Sequence, residues 1–193
     1  MSEPTITFAS PAEWETWLAE HHADSTGILL KLAKKGSGTP SVSYAEALDV
    51  ALCFGWIDAR KQAFDEVWWL QRFTPRTARS RWSKINRTRA QQLLEQGLVR
   101  EPGRRAIEAA RADGRWAEAY EGQATAAAPP DLQAALDASE RASAFFATLD
   151  RVNRYAIVHR IGAPGTPETR ARRIARYVAM LEAGERIHEP RPR

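Results

Sequence analysis

The sequence predicts an α+β fold: a small mixed or antiparallel sheet with packed helices, followed by a C-terminal helical unit. Three observations carry that expectation. Short runs at 28–33, 56–64 and 67–73 are rich in apolar, aromatic and β-branched residues and bounded by turn formers. Helix-start signatures, a hydroxyl cap followed by Pro or Glu, precede several amphipathic stretches. An Ala/Pro segment at 123–130 separates an expected α+β domain, 1–122, from an expected helical domain, 131–193. With 44% hydrophobic residues and seven Trp among 193 residues, the chain can bury a Trp-rich core.

The elements follow in order. Ser10, Pro11 and Glu13 start a helix whose Trp14, Trp17, Leu18 and His21 share one face, the one expected on the sheet. The run Ile28 to Ala33, closed by Lys34-Lys35-Gly36-Ser37-Gly38, reads as a buried strand with an exit loop. Ser43 and Glu46 form a capping box for a helix that carries Ala47, Leu48, Ala51 and Leu52 inward and stops near Gly55. Trp56–Phe64 and Val67–Phe73 make an antiparallel hairpin around Asp65-Glu66. A helix past Pro75 ends at Gly97, and another spans about 103–114. Beyond the Ala/Pro segment, helices are expected around Leu132–Leu149, Tyr155–Ile161 and, from Thr166-Pro167, up to Gly184.

The N-terminus lacks the basic and apolar regions of a secretory signal, no apolar run reaches membrane-spanning length, and the single Cys53 has no internal partner. A cytoplasmic location is therefore expected. The net charge of +4 is a mild bias toward anions, but its distribution is uneven. Arg72, Arg76, Arg79, Arg81, Lys84, Arg87, Arg89, Arg100, Arg104 and Arg105 face only Glu95 and Glu101 within the same stretch.

Arg72, Arg76, Ser80, Trp82, Ser83 and Asn86 bring guanidinium forks, hydroxyls, an amide and an aromatic plane into fifteen residues. Guanidinium binds carboxylate or phosphate bidentately, a ring stacks on a base, and a helix starting near Ser80 would add free N–H groups. Asp58, on the face of Trp56, completes the candidate ligand-binding set. The competing reading pairs these Arg with Asp49, Asp58, Asp65 or Glu66, with Trp82 in the core and Ser80 only a cap. Catalysis would require Asp58 as a base or Cys53 as an activated nucleophile. His21, His22, His159 and His188 have no metal-ligand spacing, and no nucleotide or dinucleotide loop is present, so neither a metal nor a cofactor is expected. Arg170, Arg172, Arg173 and Arg176 on the last helix read as a solvated face or a nucleic-acid contact.

The strings ALCFGWIDAR at 51–60 and RFTPRTARSRWSKIN at 72–86, with PPDLQAALDASERASAFFATLD at 129–150 and TRARRIARYVAMLEAGER at 169–186, resemble the YdeI/OmpD-associated (OmdA) family. That resemblance implies a bacterial protein related to YjbR/CyaY-like α+β domains, with a bacteriocin- or stress-protection role. Together these readings give a non-catalytic binding protein with a small anionic ligand as partner. A nucleic-acid-binding protein, or an enzyme using Asp58 or Cys53, is the alternative.

Overall fold

The computed structural model describes residues 3–122, 127–163 and 165–189. The chain forms two compact units, Met1–Ala119 and Tyr120–Arg193, each with its own cluster of buried apolar side chains. The expected linker at 123–130 lies partly, at 123–126, outside the described residues. The class is α+β, with a small mixed sheet and a C-terminal helical region.

In the first unit the order is β1 (Thr5–Thr7), α1 (Pro11–His21), β2 (Ile28–Ala33), α2 (Tyr44–Cys53), β3 (Trp56–Ala63), β4 (Trp68–Pro75), α3 (Lys84–Glu95) and α4 (Glu101–Ala112). The sheet runs β1-β2-β4-β3, with β1 parallel to β2 and the other pairs antiparallel. The hairpin of β3 and β4 is closed by Asp65, whose Oδ1 accepts from the N–H groups of Val67 and Trp68 at 2.8 and 2.7 Å. Strand β1 has no counterpart among the sequence expectations, because three residues are too few to show an alternation.

Register decides which face is buried. Ile28 opposes Phe73, Leu30 opposes Gln71 and Leu32 opposes Trp69, so these six share one side. Phe73, Leu30 and Leu32 there join Trp14, Leu18, Ala47, Ala51 and Leu52 in one core. The buried indoles find partners: Trp14 Nε1 donates to the Ala47 carbonyl at 3.0 Å and Trp56 Nε1 to that of His22 at 3.3 Å. Between Asp58 and Lys61 the β3 register slips, and the buried Gln71 donates from Nε2 to the Ala59 carbonyl at 3.1 Å. The amide thus satisfies backbone that the ladder leaves open.

Two glycines let α4 approach the end of α2. Gly55 has φ +72°, and a Cβ there would lie 2.9 Å from the Pro102 carbonyl oxygen. A Cβ on Gly103 would stand 2.3 Å from the Cys53 carbonyl oxygen, which accepts the Arg100 N–H at 2.9 Å.

The second unit holds α5 (Pro130–Asp137), α6 (Glu140–Thr148), α7 (Arg151–Ile161) and α8 (Pro167–Glu182), the last three capped by Ser139, Asp150 and Thr166. Its one buried polar side chain among the described residues, Asn153, accepts from the N–H groups of Ile187 and His188 and donates to the His188 carbonyl, tying the segment after α8 to α7. Among the described residues no helix is long and apolar enough to cross a membrane.

Candidate functional site

The basic stretch begins on β4 and passes through the turn at 76–83 into α3. Its first member, Arg72, makes a bidentate pair with Glu3, donating from Nε to Oε2 at 2.7 Å and from Nη2 to Oε1. Donation from Arg72 holds the Glu3 carboxyl below the usual range. Arg89 grips both oxygens of Asp49 at 2.6 and 2.5 Å, Arg100 binds Glu15, and Arg105 pairs with Glu101. In these four pairs, three of the carboxylates, Glu3, Asp49 and Glu15, lie outside the stretch.

Arg76 lies with its guanidinium carbon 3.5 Å from the centre of the Trp82 ring and donates from Nη1 to the Arg81 carbonyl at 3.2 Å. Trp82 is only 2% exposed, and Trp116 meets it edge-on at 4.8 Å between ring centres. Its indole N–H is buried with no hydrogen-bond partner among the described residues. The expectation that Trp82 serves as a stacking platform is therefore corrected: the ring is taken up by Arg76, Trp116 and the core, leaving no face for a base.

Helix α3 starts later than expected. Ser83, not Ser80, is its cap, accepting the Asn86 N–H at 3.2 Å. Ser80 instead closes the preceding turn by accepting the Thr77 N–H at 2.9 Å. The turn is braced from outside, since Arg115 donates from Nη1 to the Ser80 carbonyl at 2.9 Å. Ser80, Ser83 and Asn86 thus lie along the way into α3, with Arg79 exposed in the turn, while Arg72 stands apart on the sheet with Glu3.

Asp58 sits on β3, but its partner is a hydroxyl rather than an arginine: Tyr44 Oη donates to it at 2.8 Å. Burial first, then the Asp58 carboxylate, push the Tyr44 hydroxyl far above the usual phenol range. The Tyr44 ring lies 6.1 Å from that of Trp69, over which Lys61 places its ammonium at 4.1 Å. Cys53 is buried at the end of α2, and its thiol is pushed up to about 11, by burial first and then by Glu15 and Asp49. Such a thiol is protonated at neutral pH, which disfavours the nucleophile role.

One concavity escaped the sequence reading. Pro11 and Glu15 of α1, Asp49, Val50 and Cys53 of α2, and Arg89 and Leu93 of α3 line a cleft of about 220 Å³, with Leu98 and Arg100 at its edge. Its only sequence signal was the i, i+3, i+4, i+7 set of Glu46, Asp49, Val50 and Cys53 on a helix otherwise read as core.

Among the described residues no group of three or more His, Cys, Asp or Glu could hold a metal ion. Residues 6–106 match the model of a domain of unknown function (DUF8412). Residues 125–184 match the family described as Bacteriocin-protection, YdeI or OmpD-Associated (OmdA). The strings at 51–60 and 72–86 therefore fall in the first match rather than in the OmdA model. No curated protein and no solved structure matches the chain.

Proposed function

The chain belongs to the DUF8412 family and continues into an OmdA-type segment, and from that premise we propose a non-catalytic binding protein with a bacteriocin- or stress-protection role. In this reading a small anion binds the first unit along the turn and the start of α3, from Arg76 to Arg87. One observation carries it: from Arg76 through Leu94 there is no acidic residue, while Arg76, Arg79, Arg81, Lys84, Arg87 and Arg89 are basic. Arg89, at the far end of this stretch, is held by Asp49. Ser80, Ser83 and Asn86 supply polar groups beside the cations, and the first turn of α3 carries no acid to compete for its N–H groups.

Arg72 leaves the ligand set in this version, because Glu3 already occupies its fork. Asp58 leaves it too, since a carboxylate repels an anion. The test is calorimetric titration of the full chain with phosphate, pyrophosphate and a mononucleotide. Saturable binding is expected, weakened at least roughly tenfold when Arg79 and Arg81 are both replaced by Ala, the low end of about 1.5–3 kcal/mol for a charged hydrogen bond. No binding of any of the three would sink the proposal. If instead a single-stranded oligonucleotide binds with a steep salt dependence and the small anions do not, nucleic acid becomes the partner.

A further inference from the structure

The cleft between α1, α2 and α3 is separate from the basic turn and carries chemistry of a different sign. Val50, Leu93 and Leu98 give it an apolar wall, and Leu98 is 48% exposed at its mouth. The charged groups around it are Glu15, Glu46, Asp49, Arg89 and Arg100, three carboxylates against two guanidiniums.

Both guanidiniums are already engaged. Arg89 uses Nε and Nη2 on the two oxygens of Asp49, and its Nη1 donates to Gln92 Oε1 at 3.2 Å. Arg100 places Nε, at 3.1 Å, and Nη2, at 2.5 Å, on the same oxygen of Glu15, Oε1. Glu15 Oε2 accepts no hydrogen bond among the described residues. Glu46 uses Oε2 to cap the Ser43 N–H at 2.9 Å. An anion entering the cleft would meet three carboxylates, with the Nε edges of Arg89 and Arg100 already turned onto two of them. A cation meets an acceptor that is already open, and the lining's excess carboxylate favours it.

We propose that this cleft binds a small organic ammonium ion, its N–H groups on Glu15 Oε2 and its compact hydrocarbon body against Val50, Leu93 and Leu98. At about 30 Å³ per water, the space equals roughly seven waters, enough for a phenylethyl-sized body. The upward push on the Cys53 thiol agrees, because it records burial and the nearby Glu15 and Asp49 carboxylates.

The experiment titrates the full chain at pH 7 with 2-phenylethylamine, 2-phenylethanol and 3-phenylpropanoate, followed by calorimetry and by alkylation of Cys53, the only thiol in the chain. The amine should bind about tenfold tighter than the alcohol, the worth of one charge-assisted hydrogen bond. It should also slow Cys53 alkylation, and the carboxylate should not bind. Glu15→Gln should reduce the amine's affinity to that of the alcohol. Arg100→Gln, which frees the second oxygen of Glu15, should tighten the amine severalfold, a direction that misfolding cannot imitate. Equal affinity for amine and alcohol, preference for the carboxylate, or amine binding that leaves Cys53 unprotected would each overturn the assignment.

Discussion

The carboxylates that hold Arg72, Arg89 and Arg100 come from 69, 40 and 85 positions away along the chain. A count of charges in a sequence window cannot register them, which is why the ten-to-two excess overstates the free positive charge. The reading that Arg72, Arg76, Arg79 and Arg81 pair with Asp49, Asp58, Asp65 or Glu66 did not name Arg89, which holds Asp49, and Glu3 and Glu15 were not foreseen because their proximity exists only after the sheet and helices pack. Ser80 and Ser83 were similarly hard to separate. Both are hydroxyls ahead of a helical stretch, and the burial of Trp82 places the helix start after it. At this scale Cys53 gives a direct check. With its thiol raised to about 11, alkylation of the native chain at pH 7.5 should be at least tenfold slower than in denaturant. Equal rates would show the thiol to be neither buried nor raised.

Helix ends were the most legible elements, because a cap is a local event. Ser10 accepts the Glu13 N–H, Ser43 and Glu46 form the reciprocal box, and Thr166 caps α8, all as the sequence suggests. Ser43→Ala should therefore cost about 1 kcal/mol, seen as a lower urea midpoint with an unchanged slope. The crossing of α4 over the end of α2 was not legible, since a glycine in a helix declares nothing about what lies across from it. Helix propensity alone would make Gly103→Ala stabilising by up to about 1 kcal/mol. The Cys53 carbonyl oxygen 2.3 Å from the added carbon reverses the sign, and a loss of about 1–3 kcal/mol is expected. A variant as stable as the parent would mean that the two helices sit farther apart.

For the whole molecule, position of the tryptophans provides an internal probe. All seven lie at or before residue 116, within the first unit, so indole emission reports on that unit alone. The two buried clusters share no residue. Leu181→Ala, at a fully buried position of the second, should cost about 2–5 kcal/mol there. The far-ultraviolet transition should then move to lower denaturant while the emission midpoint stays in place; a matching shift in emission would show that the units unfold together. Acid should affect both. Glu3 and Glu46 in the first unit, and Asp131 in the second, have carboxyls held below their usual values by Arg72, by the Ser43 N–H and by Arg170 respectively. A depressed folded pKa contributes stability that is present above the unfolded value and is lost as pH falls through the folded one. Urea midpoints should accordingly be level above about pH 5 and decline below about 4.5; a midpoint that holds steady down to pH 3 would contradict these pairings.

Strand β1 is only three residues long, yet it occupies the outer edge of β2, whose Ile28-Leu29-Leu30-Lys31-Leu32-Ala33 is the most apolar strand of the sheet. Without that narrow border, β2 would present a row of unpaired backbone donors and acceptors beside hydrocarbon, with Lys31 as its single gatekeeper. Three residues at the start of the described chain thus act as a guard against strand-to-strand aggregation, and trimming them would endanger solubility before it endangered the core.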